Sequence, residues 1–179
     1  MPNGIVTAHA DRTLLFKPLR GREQKIRMAA QATVMLACFG PQKIVFRLLV
    51  GDAKGSVHLF SLPELNLIES HDLGNTPVTA LALHVPGGRT RVIAGLQDGG
   101  IYALGEGVPS GSLKLFSLDG SIGLIHSTDE LLTVYSGWTR EVRHWNGDAV
   151  SQVKRWLQPP TTPTKRVSQQ LILPKAVRA

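Results

Sequence analysis

The sequence predicts an all-β chain of about four four-stranded antiparallel units, and three observations carry that expectation. Residues 5–16, 49–60, 93–104 and 134–145 share one pattern: an apolar strand, a small residue, a tight polar turn, and a second strand ending in a large apolar residue. The closing residues Phe16, Phe60, Leu104 and Trp145 are spaced by 44, 44 and 41 positions, which is the period of one propeller blade. No stretch combines helical periodicity with a cap at each end, so a parallel βαβ sheet is not expected. Together these imply an all-β β-propeller of about four four-stranded antiparallel blades, as a small closed ring or as a half-ring completed by a partner.

Each blade can be built strand by strand. Lys54-Gly55 and Asp98-Gly99 place glycine where a two-residue hairpin needs a positive φ. Upstream of each hairpin lies a short apolar strand, at 32–39, 78–84 and 122–126. Both alternating faces of 78–83 are largely apolar, as an inner strand packed between two blades requires. Downstream, 65–70, 113–118 and 149–156 are more polar and suit an outer edge. The expected blades are 4–29, 30–75, 76–119 and 120–156, within a propeller region 1–156.

The first blade then begins at its second strand, 4–10, and leaves an unpaired edge that has to be covered. The apolar-rich stretch 167–173 has strand length and is the expected closing strand, since residues 157–166 reach up to roughly 33 Å when extended. A symmetric homodimer completing the ring is the competing solution.

Composition sets the class. With 179 residues, 42% apolar and 18% charged, the chain suits one ordinary folded domain. Its apolar runs fall far short of the ~20 residues that cross a bilayer, so no membrane partner is expected. The start lacks a basic segment followed by a long apolar one, and no Asn-x-Ser/Thr acceptor occurs, so an intracellular location, cytoplasmic or nuclear, is the expectation. Cys38 is the single cysteine, which excludes an internal disulfide and a multi-thiolate metal site. Within the apolar run 34–39 it reads as a small buried residue.

The net charge of +7 is unevenly placed: residues 1–148 carry 14 basic and 13 acidic side chains. The segment 149–179 carries Lys154, Arg155, Lys165, Arg166, Lys175 and Arg178 and no acid. Residues 157–179 form a basic tail that opens with the proline-containing linker 158–164, a composition that favours extended backbone. A second basic cluster, Arg20, Arg22, Lys25 and Arg27 against Glu23, adjoins the first blade's outer hairpin. Both clusters are candidate contacts for an anion, either nucleic-acid phosphate or an acidic protein face. Few aromatics interleave with them, so base stacking has little support.

Catalytic and cofactor chemistry has no candidate. The glycine-rich segment 105–112 lacks the Gly-Lys-Ser/Thr ending and precedes a strand where a phosphate site needs a helix. His9, His58, His71, His84, His126 and His144 show no metal-ligand spacing. The pair Asp129-Glu130 falls in an expected hairpin turn, and no Gly-x-Ser-x-Gly elbow occurs. Trp138 and Trp156 read as core or edge packing, with interface anchoring as the alternative.

Residues 70–83 resemble the start of a WD repeat, and 95–104 resemble its central hairpin; the similarity covers residues 4–156. The resemblance implies that His71 and Asp98 fall on the histidine and turn aspartate of a buried hydrogen-bond network, and Trp145 on the closing tryptophan. Ser70 stands where that family has glycine, and the Trp-Asp dipeptide is absent. A propeller presents rigid rims and carries no chemistry in its repeat, so the expected function is a non-catalytic scaffold within a larger assembly. Its expected partners are other protein subunits or a second copy, with a nucleic-acid-associated, RNA-assembly subunit as the alternative.

Overall fold

The structure, a computed structural model, describes residues 4–39, 46–85, 90–105, 108, 111–128, 131–137, 139–145, 150–157 and 171–172. Side chains are described for these except Phe39, Phe46, Trp145, residues 150–157 and residues 171–172. The first sheet takes β1 (Gly4–Ala8), β2 (Thr13–Pro18) and β3 (Gln24–Arg27). The second takes β4 (Ala32–Phe39), β5 (Phe46–Asp52), β6 (Ser56–Ser61) and β7 (Leu67–Asp72). The third takes β8 (Val78–His84), β9 (Arg91–Leu96), β10 (Gly100–Leu104) and β11 (Ser112–Ser117). The fourth takes β12 (Ile122–Ser127), β13 (Leu131–Ser136), β14 (Thr139–Trp145) and β15 (Val150–Leu157), and β16 (Leu171–Ile172) returns to the first.

Each sheet is an antiparallel meander, hereafter blades 1 to 4. The first strands of the blades, β16, β4, β8 and β12, lie side by side in that order, which makes them the inner row. β8 is buried on one face and half-buried on the other, whereas β7 at the opposite edge is mostly exposed. The polar edges therefore point outward, as the composition of the strands requires. Blade 1 takes its inner strand from the far end of the chain: β16 pairs antiparallel with β1, Ile5 opposite Ile172 and Val6 opposite Leu171. The remainder of the stretch 167–173 lies outside the described residues.

Alternation along the strands produces three apolar layers, one at each blade boundary. Val6, Leu14, Phe16 and Met28 of blade 1 meet Leu48, Val50 and Phe60 of blade 2. Val34, Leu49 and Val57 meet Val78, Ala94, Leu96 and Leu104 between blades 2 and 3. Ala80, Ala82, Ile93, Ile101 and Ala103 meet Ile122, Ile125, Leu132 and Val134 between blades 3 and 4. Full burial of such a side chain contributes about 1.5–3 kcal/mol, so these layers are what holds neighbouring blades together. Among the described residues no comparable packing joins blade 4 back to blade 1, and the sheets form a partial propeller that is not closed. Among the described residues no helix is long and apolar enough to cross a membrane.

A bulge recurs where each inner strand begins. The register slips past Thr33, Thr79 and Gly123 in blades 2, 3 and 4. The two threonines use their freed hydroxyls: Thr33 Oγ1 donates to the Gly51 carbonyl at 3.0 Å, and Thr79 Oγ1 to that of Gly95 at 3.2 Å. Thr33 also donates to the Val78 carbonyl of the next blade, so the bulge is fixed across the boundary. At the same level the next blade presses on glycine. A Cβ on Gly51 would sit 2.6 Å from Val78, and one on Gly95 would sit 2.5 Å from Ile122.

The hairpin turns differ from the expected two-residue loops. Gly55 N donates to the Asp52 carbonyl and Gly99 N to that of Leu96, so each glycine closes a four-residue turn and then adopts a left-handed φ of +90°. This is the longer hairpin loop that ends in a left-handed residue. In blade 4, Ser136 pairs directly with Thr139, and the shorter loop sets Tyr135, not Ser136, level with Gly51 and Gly95. A similar one-residue slip in blade 1 places Ala8, not Thr7, at that level, because Ala8 pairs with the first strand residue after the turn but one, Leu14.

Gly99→Ala tests the turn against pure backbone strain. A Cβ there would meet the Leu118 carbonyl oxygen at 1.9 Å, whereas at Gly105, with φ +112°, it would meet nothing within 4 Å. Gly105→Ala is expected to cost about 1 kcal/mol and Gly99→Ala about 3 kcal/mol or more. Thermal unfolding of the two variants side by side checks the difference.

Candidate interaction surfaces

A polar network sits where blade 2 faces blade 1. Asp52, 2% exposed, ends β5, and its Oδ1 accepts from the backbone N–H of Lys54 at 2.8 Å and of Ser56 at 2.9 Å. Its Oδ2 accepts from His58 Nε2 at 3.0 Å. With Nε2 holding the proton against the carboxylate, Nδ1 is left to accept from the Ser70 hydroxyl at 3.0 Å. One buried carboxylate thus closes the turn and ties β5, β6 and β7 together, and a buried charge is tolerated because every contact is a donor. Hydroxyl, imidazole and carboxylate in series also serve nucleophilic catalysis in other folds. Here one carboxylate oxygen is committed to the turn and the serine stands on the exposed outer strand.

Sequence reasoning did not single out Asp52, and it named Ser70 only as the residue standing where the WD repeat has glycine. His71, the residue the resemblance pointed to, is half-buried and pairs with Glu69 at 2.9 Å. Asp98 is exposed and caps its own turn, Oδ1 accepting from Gly100 N–H at 2.9 Å. The two do not join one network. Trp145 ends β14 opposite Val150, and its side chain lies outside the described residues. The signal available for Asp52 was its place one residue after the glycine of an apolar strand.

The blade 3–4 boundary carries a different polar set. His84, fully buried, bridges to Ser127 of blade 4 through Nδ1 at 2.7 Å. Glu141 is buried and accepts from Arg143, whose guanidinium lies 4.0 Å from the Phe116 ring of blade 3. Among the described residues no group of three or more His, Cys, Asp or Glu side chains is arranged to hold a metal. Cys38 is half-buried, and burial pushes its thiol up to about 12, with Arg47 opposing.

Strand alternation divides the basic cluster near the first blade. Lys25 and Arg27 stand on the β3 face that points away from blade 2, while Arg20 and Arg22 lie in the exposed β2–β3 connection beside Leu19, which is 66% exposed. Lys154 and Arg155 lie on β15, where the backbone alone is described. Lys165, Arg166, Lys175, Arg178 and Trp138, like Asp129 and Glu130, fall outside the described residues. The structure therefore does not bring the two basic clusters into one described surface.

These features define a four-sheet β-propeller segment that is not closed. No family model matches the chain, and no curated protein matches it. Its fold is common: 717 solved chains match it, too many for the fold to select a function. One of them, the structure of U3-55K, a WD40 β-propeller protein, is similar at a TM-score of 0.64 with 14% sequence identity. That match covers 84% of this chain and 48% of the other, so the chain spans about half the length of its neighbour. At this identity the likeness establishes the fold alone.

Two outcomes test the site. Asp52→Ala strands two backbone donors and an imidazole, and is expected to cost about 2–4 kcal/mol, whereas Ser70→Ala on the exposed strand costs below about 1 kcal/mol; chemical denaturation measures both. Cys38, with its thiol near 12, should hold roughly a thousandfold less thiolate than an ordinary cysteine of 9. Alkylation at pH 8 should therefore be very slow in the folded protein and fast in denaturant, as mass spectrometry would record.

Proposed function

We propose that this chain is a non-catalytic propeller scaffold, of divergent WD-repeat type, that mediates protein–protein interaction within a larger assembly. The carrying observation is that Asp52, His58 and His84 are consumed in a turn and at blade boundaries, as structural and not chemical groups. Exposed apolar residues such as Leu19 and Leu124 are available for partner contact. The tail 157–179 acts as a latch through the β16–β1 pairing. Its partners are other subunits or a second copy, and its location is intracellular. Capture from native cells with the full chain as bait, followed by mass spectrometry, should return stable partners; a chain that runs alone overturns the reading.

The alternative, a nucleic-acid-associated subunit, rests on the exposed Arg20, Arg22, Lys25 and Arg27 and on the basic tail. RNA binding should then weaken steeply as salt rises, and deletion of 157–179 should flatten the slope. A salt-independent response removes this alternative.

A further inference from the structure

The outer edge of blade 2 differs from those of the other three blades. The last strand of a blade has backbone groups without a partner on one side, and such an edge invites pairing unless charge, proline or shortness guards it. β3 is four residues long and carries Lys25 and Arg27, β11 carries Lys114, and β15 carries Lys154 and Arg155. β7 has six residues without lysine, arginine or proline, and β6 is its one strand partner among the described residues. It lies in the middle of the chain, and its open edge is the rim of the blade itself. Leu67 and Ile68, at a bulge opposite Phe60, are 57% and 50% exposed there.

The register decides which backbone groups are on offer. Leu73 N–H donates inward to the Gly55 carbonyl at 3.0 Å, and along an antiparallel pair inward and outward groups alternate. His71 and Glu69 therefore bond to Val57 and Leu59 of β6, while Ser70 and Asp72 turn their N–H and C=O groups outward. The strand is held in this posture beforehand. The Ser70 hydroxyl bonds to His58 Nδ1 at 3.0 Å, and His71 pairs with Glu69 at 2.9 Å while resting against Gly111 of blade 3. An edge already ordered loses little freedom when a strand is added to it.

Charge selects the occupant. Residues 55–88 hold Glu64, Glu69 and Asp72 and no lysine or arginine, in a chain of net charge +7. All three carboxylates are exposed; Glu69 is shared with His71, and Asp72 Oδ1 also accepts from Gly74 N–H at 3.1 Å. This rim repels a phosphate backbone. The β7 strand of a second copy would bring its own Glu69 and Asp72 to the same edge, and like charges side by side across a ladder are destabilising.

We propose that the outer edge of β7 adds an antiparallel strand from a partner protein, a segment whose side chains alternate between cationic and apolar. Its backbone pairs with Ser70 and Asp72, its cations lie beside Asp72 and Glu69, and its apolar residues cover Leu67 and Ile68. This rests on the scaffold reading and names the class of partner that the scaffold takes; native partner capture tests that reading separately.

The test uses the full chain and three fluorescent capped peptides: one alternating lysine and valine, its glutamate counterpart, and the lysine peptide with its amide nitrogens methylated, which removes every ladder donor. The lysine peptide should bind, and the other two should bind roughly tenfold or more weakly. Ile68→Lys and, separately, Leu67→Lys place a guarding cation on the edge and should each weaken the lysine peptide by roughly tenfold or more. Leu113→Lys, on the exposed edge of blade 3, should leave binding unchanged, and circular dichroism should show every variant folded. Equal binding of the glutamate or methylated peptide, or undiminished binding by both β7 variants, would overturn the proposal. So would concentration-dependent self-association that Ile68→Lys removes, which assigns the edge to a second copy. Native partners captured equally by the β7 variants would leave the scaffold reading standing and sink this one.

Discussion

The close approach of one blade to the next at Gly51 and Gly95 is the contact on which the arrangement depends. A hydrogen in place of a side chain lets Val78 and Ile122 sit against the preceding strand, and the bulges at Thr33 and Thr79 bend the inner strands to meet them. The two apolar layers that join blades 2, 3 and 4 are possible only at that spacing, because tightly packed interiors transmit a displacement of one side chain along the whole boundary. Blade twist, bulge and glycine are thus one feature with three components.

The polar groups follow from the same geometry. A strand that ends tightly against its neighbour must turn back at once, and the turn leaves backbone donors facing inward. Asp52 satisfies two of them and passes its remaining oxygen to His58, so the blade is locked laterally by one carboxylate. Blade 3 has Leu96 at the level of Asp52 and therefore closes its turn with the exposed Asp98. Blade 4 uses a shorter loop, and its buried acid moves to Glu141. Each blade solves the same constraint with different residues, which is why a shared motif is faint.

Strand content and the period were legible in the sequence because they rest on alternation, and alternation survives substitution. Val78, Ala80 and Ala82 needed no knowledge of their partners to be placed inside. The level of Tyr135 was not legible. It depends on the length of the loop after Ser136, and a loop one residue shorter shifts the alignment by one, which exchanges the two faces of a strand. The Asp52 network was hidden for a related reason. Its members are 6 and 12 residues apart in sequence, and only the β5–β6–β7 pairing brings them together. Basic residues were visible as charges, but which of them share a face depended on the β2–β3 register that sets Lys25 beside Leu15.

The pairing of β16 with β1 joins the two ends of the described chain, whereas every other strand pair joins neighbours in sequence. Local hairpins form early and at small entropic cost; a contact between distant segments is slow to find. On a ribosome, blades 2, 3 and 4 have all of their strands as soon as each has emerged. Of the four, blade 1 is begun before the others and completed after them, its inner edge bare until β16 has emerged and exposed to any strand that offers itself. The blade begun earliest of the four is therefore the one most in need of protection while the others are being made.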